Sequence, residues 1–369
     1  RRLKEVDGRK HTVIMVQVEN EVGIKPEPRD LSQLGDDAYN SAVPAALLRY
    51  LETHKGELHP ELMERWRKCG AKVAGTWTEV FGNEPEGSEI FSAWHYARYI
   101  NEIARAGKAE YPLPMYVNAW LRGPNEKIGT YPTGGPVAHV HDIWRAAGTH
   151  IDLYAPDIYL PDFKGVCEEF ARNGNPLMIP EASRDEAATA RAFWAFGAGN
   201  AICFSPFGIE SCAKDHPLSG SYEILRMLAP LIMKYQGTGK MAGFYRQNND
   251  EQKASIQVGD WMLNVQYLDR VPSKLPAHGL VMQTGPEEFI AAGYGFKFRL
   301  DARTPGPRST QIQSVEMGRM EGVIFVPELR LNGDETGANY VAAVPPNTSN
   351  LAIDPAKPRI LRVRVYRHD

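Results

Sequence analysis

The chain has 369 residues, enough for about two domains and a sizeable core. Its 42 basic and 45 acidic residues give a net charge of −3, which argues against a nucleic-acid binder with a basic face. With 43% apolar and 24% charged residues it reads as an ordinary globular protein rather than a disordered one.

The chain opens Arg1-Arg2-Leu3 without an initiator Met, so no signal peptide can be read, and an upstream segment is expected to have been removed or to lie outside this sequence. Residues 11–18 form a Val- and Ile-rich, strand-like run that leads into Glu19-Asn20-Glu21-Val22-Gly23. Helical periodicity follows at 39–53, where Pro44 is tolerable near a first turn, and at 60–68. Residues 73–81 read as extended, 90–109 as a long helix and 114–121 as a strand. A short helix is expected at 139–147, a strand at 151–160 and a helix at 165–172. Strands at 176–182 and 201–207 flank a helix at 185–196, and a last helix covers 221–235.

Apolar strands separated by helices imply βαβ units and a parallel sheet, hence an α/β class for residues 1–236. After Gly237-Thr238-Gly239 the helical periodicity ends. Short alternating or β-branched runs at 254–258, 261–267, 279–283, 289–292, 296–300, 312–317, 322–325 and 360–366 predict an antiparallel β-sandwich-like domain over 237–369. The proline-rich stretches 345–347 and 355–358 read as loops. The most apolar stretch, 192–207, is too short for a membrane span and is broken by Gly197, Gly199, Asn200 and Pro206. Cys69, Cys167, Cys203 and Cys212 form no CxxC pair and fit either redox compartment.

Two carboxylates stand out because each follows an apolar run and precedes a loop: Glu21 ends the first strand and Glu181 ends the strand at 176–182. In α/β barrels the site is assembled at the C-terminal ends of the strands. A buried strand has little reason to finish in a carboxylate unless that group is paired or functional, although one such Glu alone could equally be a solvated loop residue. Two of them about 5–5.5 Å apart could serve as acid/base and nucleophile of a retaining glycoside hydrolase. Trp77, Trp120 and Phe207, at or near strand ends, could stack beneath a sugar ring or pack in the core. Glu79, Asn118, Asp157 and Glu210 are polar candidates for hydroxyl contacts, or loop caps.

The segment Val16-Gln17-Val18-Glu19-Asn20-Glu21-Val22-Gly23 resembles the acid/base motif of family 35 glycoside hydrolases, the β-galactosidases. The resemblance extends into the β-rich C-terminal region, which looks like an accessory domain of one bacterial branch. It implies a TIM barrel whose fourth strand ends at Glu21, so that only strands four to eight are present here and the chain is N-terminally truncated. It further implies that Glu21 is the acid/base and that Asn20 bonds the sugar 2-hydroxyl. Glu181 on the seventh strand then becomes the nucleophile, and Tyr159 at the end of the sixth a hydrogen-bonding partner of that nucleophile. Val22 stands where the family has Tyr, and Ala182-Ser183-Arg184 follow the nucleophile, which changes details of the sugar pocket. Strict alternation would put Asn20 and Glu21 on opposite faces, so the strand must bulge or end there for both to reach one sugar.

The implied activity is retaining exo-β-galactosidase action on terminal β-D-galactosyl groups of a galactoside or oligosaccharide. No cofactor, metal, nucleic acid or membrane is expected, a homo-oligomer is compatible with the sequence, and a periplasmic or secreted location is expected over a cytoplasmic one. An arabinopyranosidase or fucosidase of the same mechanism is the nearest alternative, because those sugars share the axial 4-hydroxyl of galactose. A non-catalytic carbohydrate-binding remnant is another, because an open half-barrel exposes strand edges and a broken core. His139-Val140-His141-Asp142 has the look of a metal-ligand pair but reads better as a satisfied helix-capping histidine. There is no HExxH, P-loop or GxSxG motif. Asn347-Thr348-Ser349 fits a glycosylation sequon, relevant only in a eukaryotic secretory setting.

Overall fold

The computed structural model describes residues 1–269, 275–306, 309–336, 341–344 and 359–368. The sequon at Asn347 and the proline-rich loops at 345–347 and 355–358 lie outside the described residues.

Helix α1 (Arg2–Asp7) precedes strand β1 (Val16–Gln17). Then come α2 (Gln33–Tyr39), α3 (Ala45–Thr53), α4 (Pro60–Lys68), α5 (Trp77–Phe81) and α6 (Pro85–Glu110). The βα alternation continues with β2 (Met115–Trp120), α7 (His141–Ala147), β3 (Leu153–Ile158), α8 (Phe163–Phe170), β4 (Met178–Ala182), α9 (Ala187–Gly197), β5 (Cys203–Pro206) and α10 (Pro217–Tyr235). The five strands form one parallel sheet in the order β1-β2-β3-β4-β5, an open half-barrel rather than a closed ring. All six residues of β3 are buried, as expected for a strand covered on both faces. On its helix side Tyr154 stacks on His141 at 5.0 Å and meets Trp144 edge-on.

Three local expectations are corrected. Residues 73–81 are not extended: Thr76 and Glu79 form a reciprocal capping box that starts α5 at Trp77. The helix expected over 39–53 begins only at Ala45, because Pro44 sits at the N-cap of α3 with ψ 130°, and residues 40–44 separate it from α2, which ends at Tyr39. The first strand is two residues long, and the chain leaves it before Glu21.

The second part of the chain carries β6 (Met241–Tyr245), β7 (Lys253–Val258), β8 (Trp261–Tyr267), β9 (His278–Gly285), β10 (Glu288–Tyr294), β11 (Phe296–Ala302), β12 (Ser309–Glu321), β13 (Ile324–Leu331), β14 (Val341–Val344) and β15 (Arg359–His368). They make a six-stranded sheet, β13-β12-β15-β10-β9-β6, and a four-stranded sheet, β14-β11-β8-β7, with antiparallel pairing. One apolar core, including Trp261, Phe289, Phe296 and Phe298, draws residues from both sheets.

Contacts divide the chain into two compact units, Arg1–Glu181 and Ala182–Asp369, so the division falls inside β4 while the change of secondary-structure type comes later, after Tyr235. In the second unit α9 packs on β6. Gly197 makes this close approach possible: a Cβ there would lie 2.5 Å from Gly243 Cα and against Leu280. Among the described residues no helix is long and apolar enough to cross a membrane.

Candidate active site

Every residue of the site lies in the first unit. Beyond Gln17 the backbone turns left-handed at Glu19 (φ 61°) and again at Glu21 (φ 44°). Strand alternation therefore stops before Asn20, and both Asn20 and Glu21 can serve one site. Non-glycine residues rarely adopt this conformation, and where it persists the surroundings hold it.

The holding group is Asn118 on β2, which is 1% exposed. Its Oδ1 accepts from the Glu21 backbone N–H at 3.0 Å. Its Nδ2 donates to Asn20 Oδ1 at 3.0 Å and to Asp157 Oδ2 at 2.6 Å. Gln17 Nε2 adds a second donor to Asn20 Oδ1 at 3.1 Å. The pairing of β2 with β3 aligns Asn118 with Ala155 and Trp120 with Asp157, which brings these side chains to the same end of neighbouring strands.

Glu21, Asp157 and Glu181 each place a carboxylate oxygen within 4.8 Å of the other two. Among the described residues no other group of three or more His, Cys, Asp or Glu brings its donor atoms this close. Two like charges at that separation repel by about 3 kcal/mol at an effective dielectric of about 20, so the three groups cannot all be ionised cheaply. Asp157 takes the strain: burial, the Glu181 charge and its contact with Glu21 push its carboxyl up to about 9, far above the usual carboxylate range. Tyr159 donates to Glu181 Oε2 at 2.9 Å, and burial together with that bond holds the phenol protonated well above its ordinary value.

The three carboxyls open into a cavity of about 380 Å³ walled by Trp120, Leu121, Tyr159 and Leu160. Trp120 is 47% and Tyr159 51% exposed, so both rings offer flat surface to a ligand. Lys25 lies 4.4 Å from the Trp120 ring centroid in a cation–π contact.

The model of a family described as a domain of unknown function, DUF5597, matches residues 218–341. That stretch is about a third of the chain, runs from α10 into the antiparallel sheets, and includes none of the clustered carboxyls. Comparison with curated proteins finds no match.

Of the sequence candidates, Glu21, Glu181, Asn20, Asn118, Trp120 and Tyr159 come together at this site. Asn118 is enclosed and fully bonded, so it organises the site rather than facing a ligand. Trp77 does not line the cavity: it is 1% exposed in α5, packed edge-on against Phe91 at 5.2 Å. Phe207 is 63% exposed just after β5, in the second unit. Glu79 is the capping-box residue of α5, and Glu210 lies exposed in a short 3-10 turn. His139 caps no helix through its side chain; its Nε2 pairs with the buried Glu89 at 2.8 Å, where Tyr131 also donates at 2.6 Å. The role of Asp157 was missed as more than a hydroxyl contact. The available signal is a lone carboxylate, two residues before Tyr159, in an otherwise apolar strand.

Proposed function

We propose that the protein is a retaining glycoside hydrolase that removes terminal β-D-galactosyl groups, with Glu181 as nucleophile and Glu21 as acid/base. One observation carries this reading: the oxygens of Glu21 and Glu181 lie within 4.8 Å of each other beside a cavity with two exposed aromatic walls. Retaining enzymes hold their two carboxyls about 5–5.5 Å apart, whereas inverting enzymes need about 6.5–9.5 Å to admit a water. On this reading the half-barrel is the C-terminal part of a TIM barrel, and the two antiparallel sheets form the accessory sandwich.

The chemistry follows from the charges. Glu181 attacks the anomeric carbon as a carboxylate while Glu21 protonates the departing oxygen. Once Glu181 is esterified its charge is gone, and Glu21 accepts a proton from the water that attacks the glycosyl ester. The Tyr159 hydroxyl orients the attacking carboxylate. Asn20 Oδ1 is occupied twice within the protein, so its Nδ2 is the atom a sugar hydroxyl would meet. Trp120 supplies an apolar platform for the ring. A second cavity of about 630 Å³ shares the Leu121 and Leu160 walls and presents Glu61, Arg122 and Asp162, which suits the hydroxyl-rich remainder of an oligosaccharide.

A panel of nitrophenyl glycosides tests the proposal. Release from the β-galactoside is expected, with Glu181→Gln inactive. Glu21→Ala should retain cleavage of the activated nitrophenyl substrate but lose unactivated oligosaccharides, because a good leaving group needs no proton. Preference for the α-arabinopyranoside or β-fucoside would move the substrate within the same mechanism. Full activity in both variants would remove the residue assignment.

A further inference from the structure

Asp157 differs from an ordinary site carboxylate in one respect. It is 3% exposed, and its Oδ2 is satisfied by Asn118 at 2.6 Å, while its Oδ1 is buried with no donor to bond. Glu21, another carboxyl, brings an oxygen within 4.8 Å of the Asp157 carboxyl and is the carboxyl with which it can share a hydrogen bond. Two carboxyls can bond only if one carries a proton.

The neighbours say which. The charges acting on Asp157 come from Glu181 on β4 and Glu21 after β1, both anionic when ionised, and Tyr159 beyond its own strand is the other titratable neighbour. From β2 it meets the neutral Asn118. Helix α8 also packs on β3, but its Glu169 is engaged with His59 at 3.0 Å and Arg172 at 3.7 Å. Glu21 and Glu181 line the cavity and are part-exposed, so the most enclosed of the three carboxyls is the one that gives up its charge.

We propose that Asp157 stands in the site as a neutral carboxylic acid that donates its Oδ1 proton to Glu21, and that it acts through Glu21 as a positioning residue. Its protonation rests on its burial, its undonated Oδ1 and the two carboxyls within 4.8 Å; its effect on turnover rests on the reading of Glu21 as acid/base. A neutral Asp157 fixes one Glu21 oxygen and leaves the other toward the cavity. It also adds no negative charge of its own beside Glu21.

The test is thermal unfolding of the full chain and of Asp157→Asn between pH 4.5 and 8.5. Asn keeps the shape, the acceptor for Asn118 and a donor toward Glu21. An acid whose folded pKa is raised binds its proton in the native state but not in the unfolded chain, so it lowers stability progressively as pH rises from about 4 toward about 9. The Asn variant should therefore gain on the wild type by several degrees across that range. A Tm difference that stays flat with pH, or one that moves toward the wild type, overturns the proposal. Should the variant fail to fold, Glu21→Gln at neutral pH must still show the infrared carbonyl band of a buried protonated carboxyl; its absence overturns the proposal as well. In the assay, Asp157→Asn should keep kcat within several-fold near pH 6 and lose the wild type's fall in kcat above about pH 8, whereas Asp157→Ala should lose tenfold or more. Unfolding behaviour as stated without any glycosidase activity would separate the failure of the functional reading from this one.

Discussion

Glu21 owes its position to a side chain 97 residues away rather than to its own strand. Asn118 gathers Glu21, Asn20 and Asp157 through three hydrogen bonds, and Tyr159 holds Glu181 in the same way. The residue types were legible in sequence, because carboxylates at the ends of apolar runs are conspicuous. The organising role of Asn118 and the neutrality of Asp157 were not, since both depend on burial and on register between strands. The Tyr159 bond has a consequence at this scale. A hydrogen bond to a charged group contributes about 1.5–3 kcal/mol, so Tyr159→Phe should lower kcat on a nitrophenyl galactoside by roughly tenfold to a hundredfold. Steady-state kinetics with KM near the wild-type value would support an orienting role, and unchanged kcat would refute it.

The alternation of apolar strands and helices was readable because parallel strands covered on both faces must be apolar throughout. Failures came where local chemistry overrode composition. Residues 73–81 are rich in β-branched and aromatic types, yet the Thr76–Glu79 capping box commits them to a helix. Strands β6 and β14 escaped notice, being four or five residues long with little alternation. Packing between elements is also invisible in a single sequence, and α9 against β6 shows why it matters. Gly197 leaves no room for a side chain beside Gly243 and Leu280. Overpacking of this kind typically costs about 1–3 kcal/mol. Gly197→Val should lower the unfolding midpoint by several degrees in a calorimetric scan, and an unchanged midpoint would mean that α9 and β6 are not held at this distance.

Across the molecule, two buried histidines tie stability to pH in both units. His141 is driven down to about 3 and His278 to about 4, chiefly by burial, while each bonds a backbone carbonyl. A base whose folded pKa is depressed stays neutral in the native state while the unfolded chain takes up a proton near pH 6.5, so stability is full above about 6.5 and is lost as pH falls toward 4. Asp157 works in the opposite sense over about pH 4–9, and two histidines outweigh it in the acid range. Calorimetry should show a midpoint lower at pH 4 than at pH 7; an equal or higher value at pH 4 would contradict the buried neutral imidazoles. The division of the chain inside β4 could not be read from sequence, because the strand runs through it without a change of composition. The central claim, that Glu181 and Glu21 form a retaining pair, is tested most directly by incubating the full chain with a dinitrophenyl 2-deoxy-2-fluoro-β-galactoside and weighing the protein. The account predicts a mass gain of one fluorogalactosyl group, located to Glu181 by peptide analysis and slowed in Glu21→Ala only with poorer leaving groups. No adduct, or an adduct on any other residue, would contradict it.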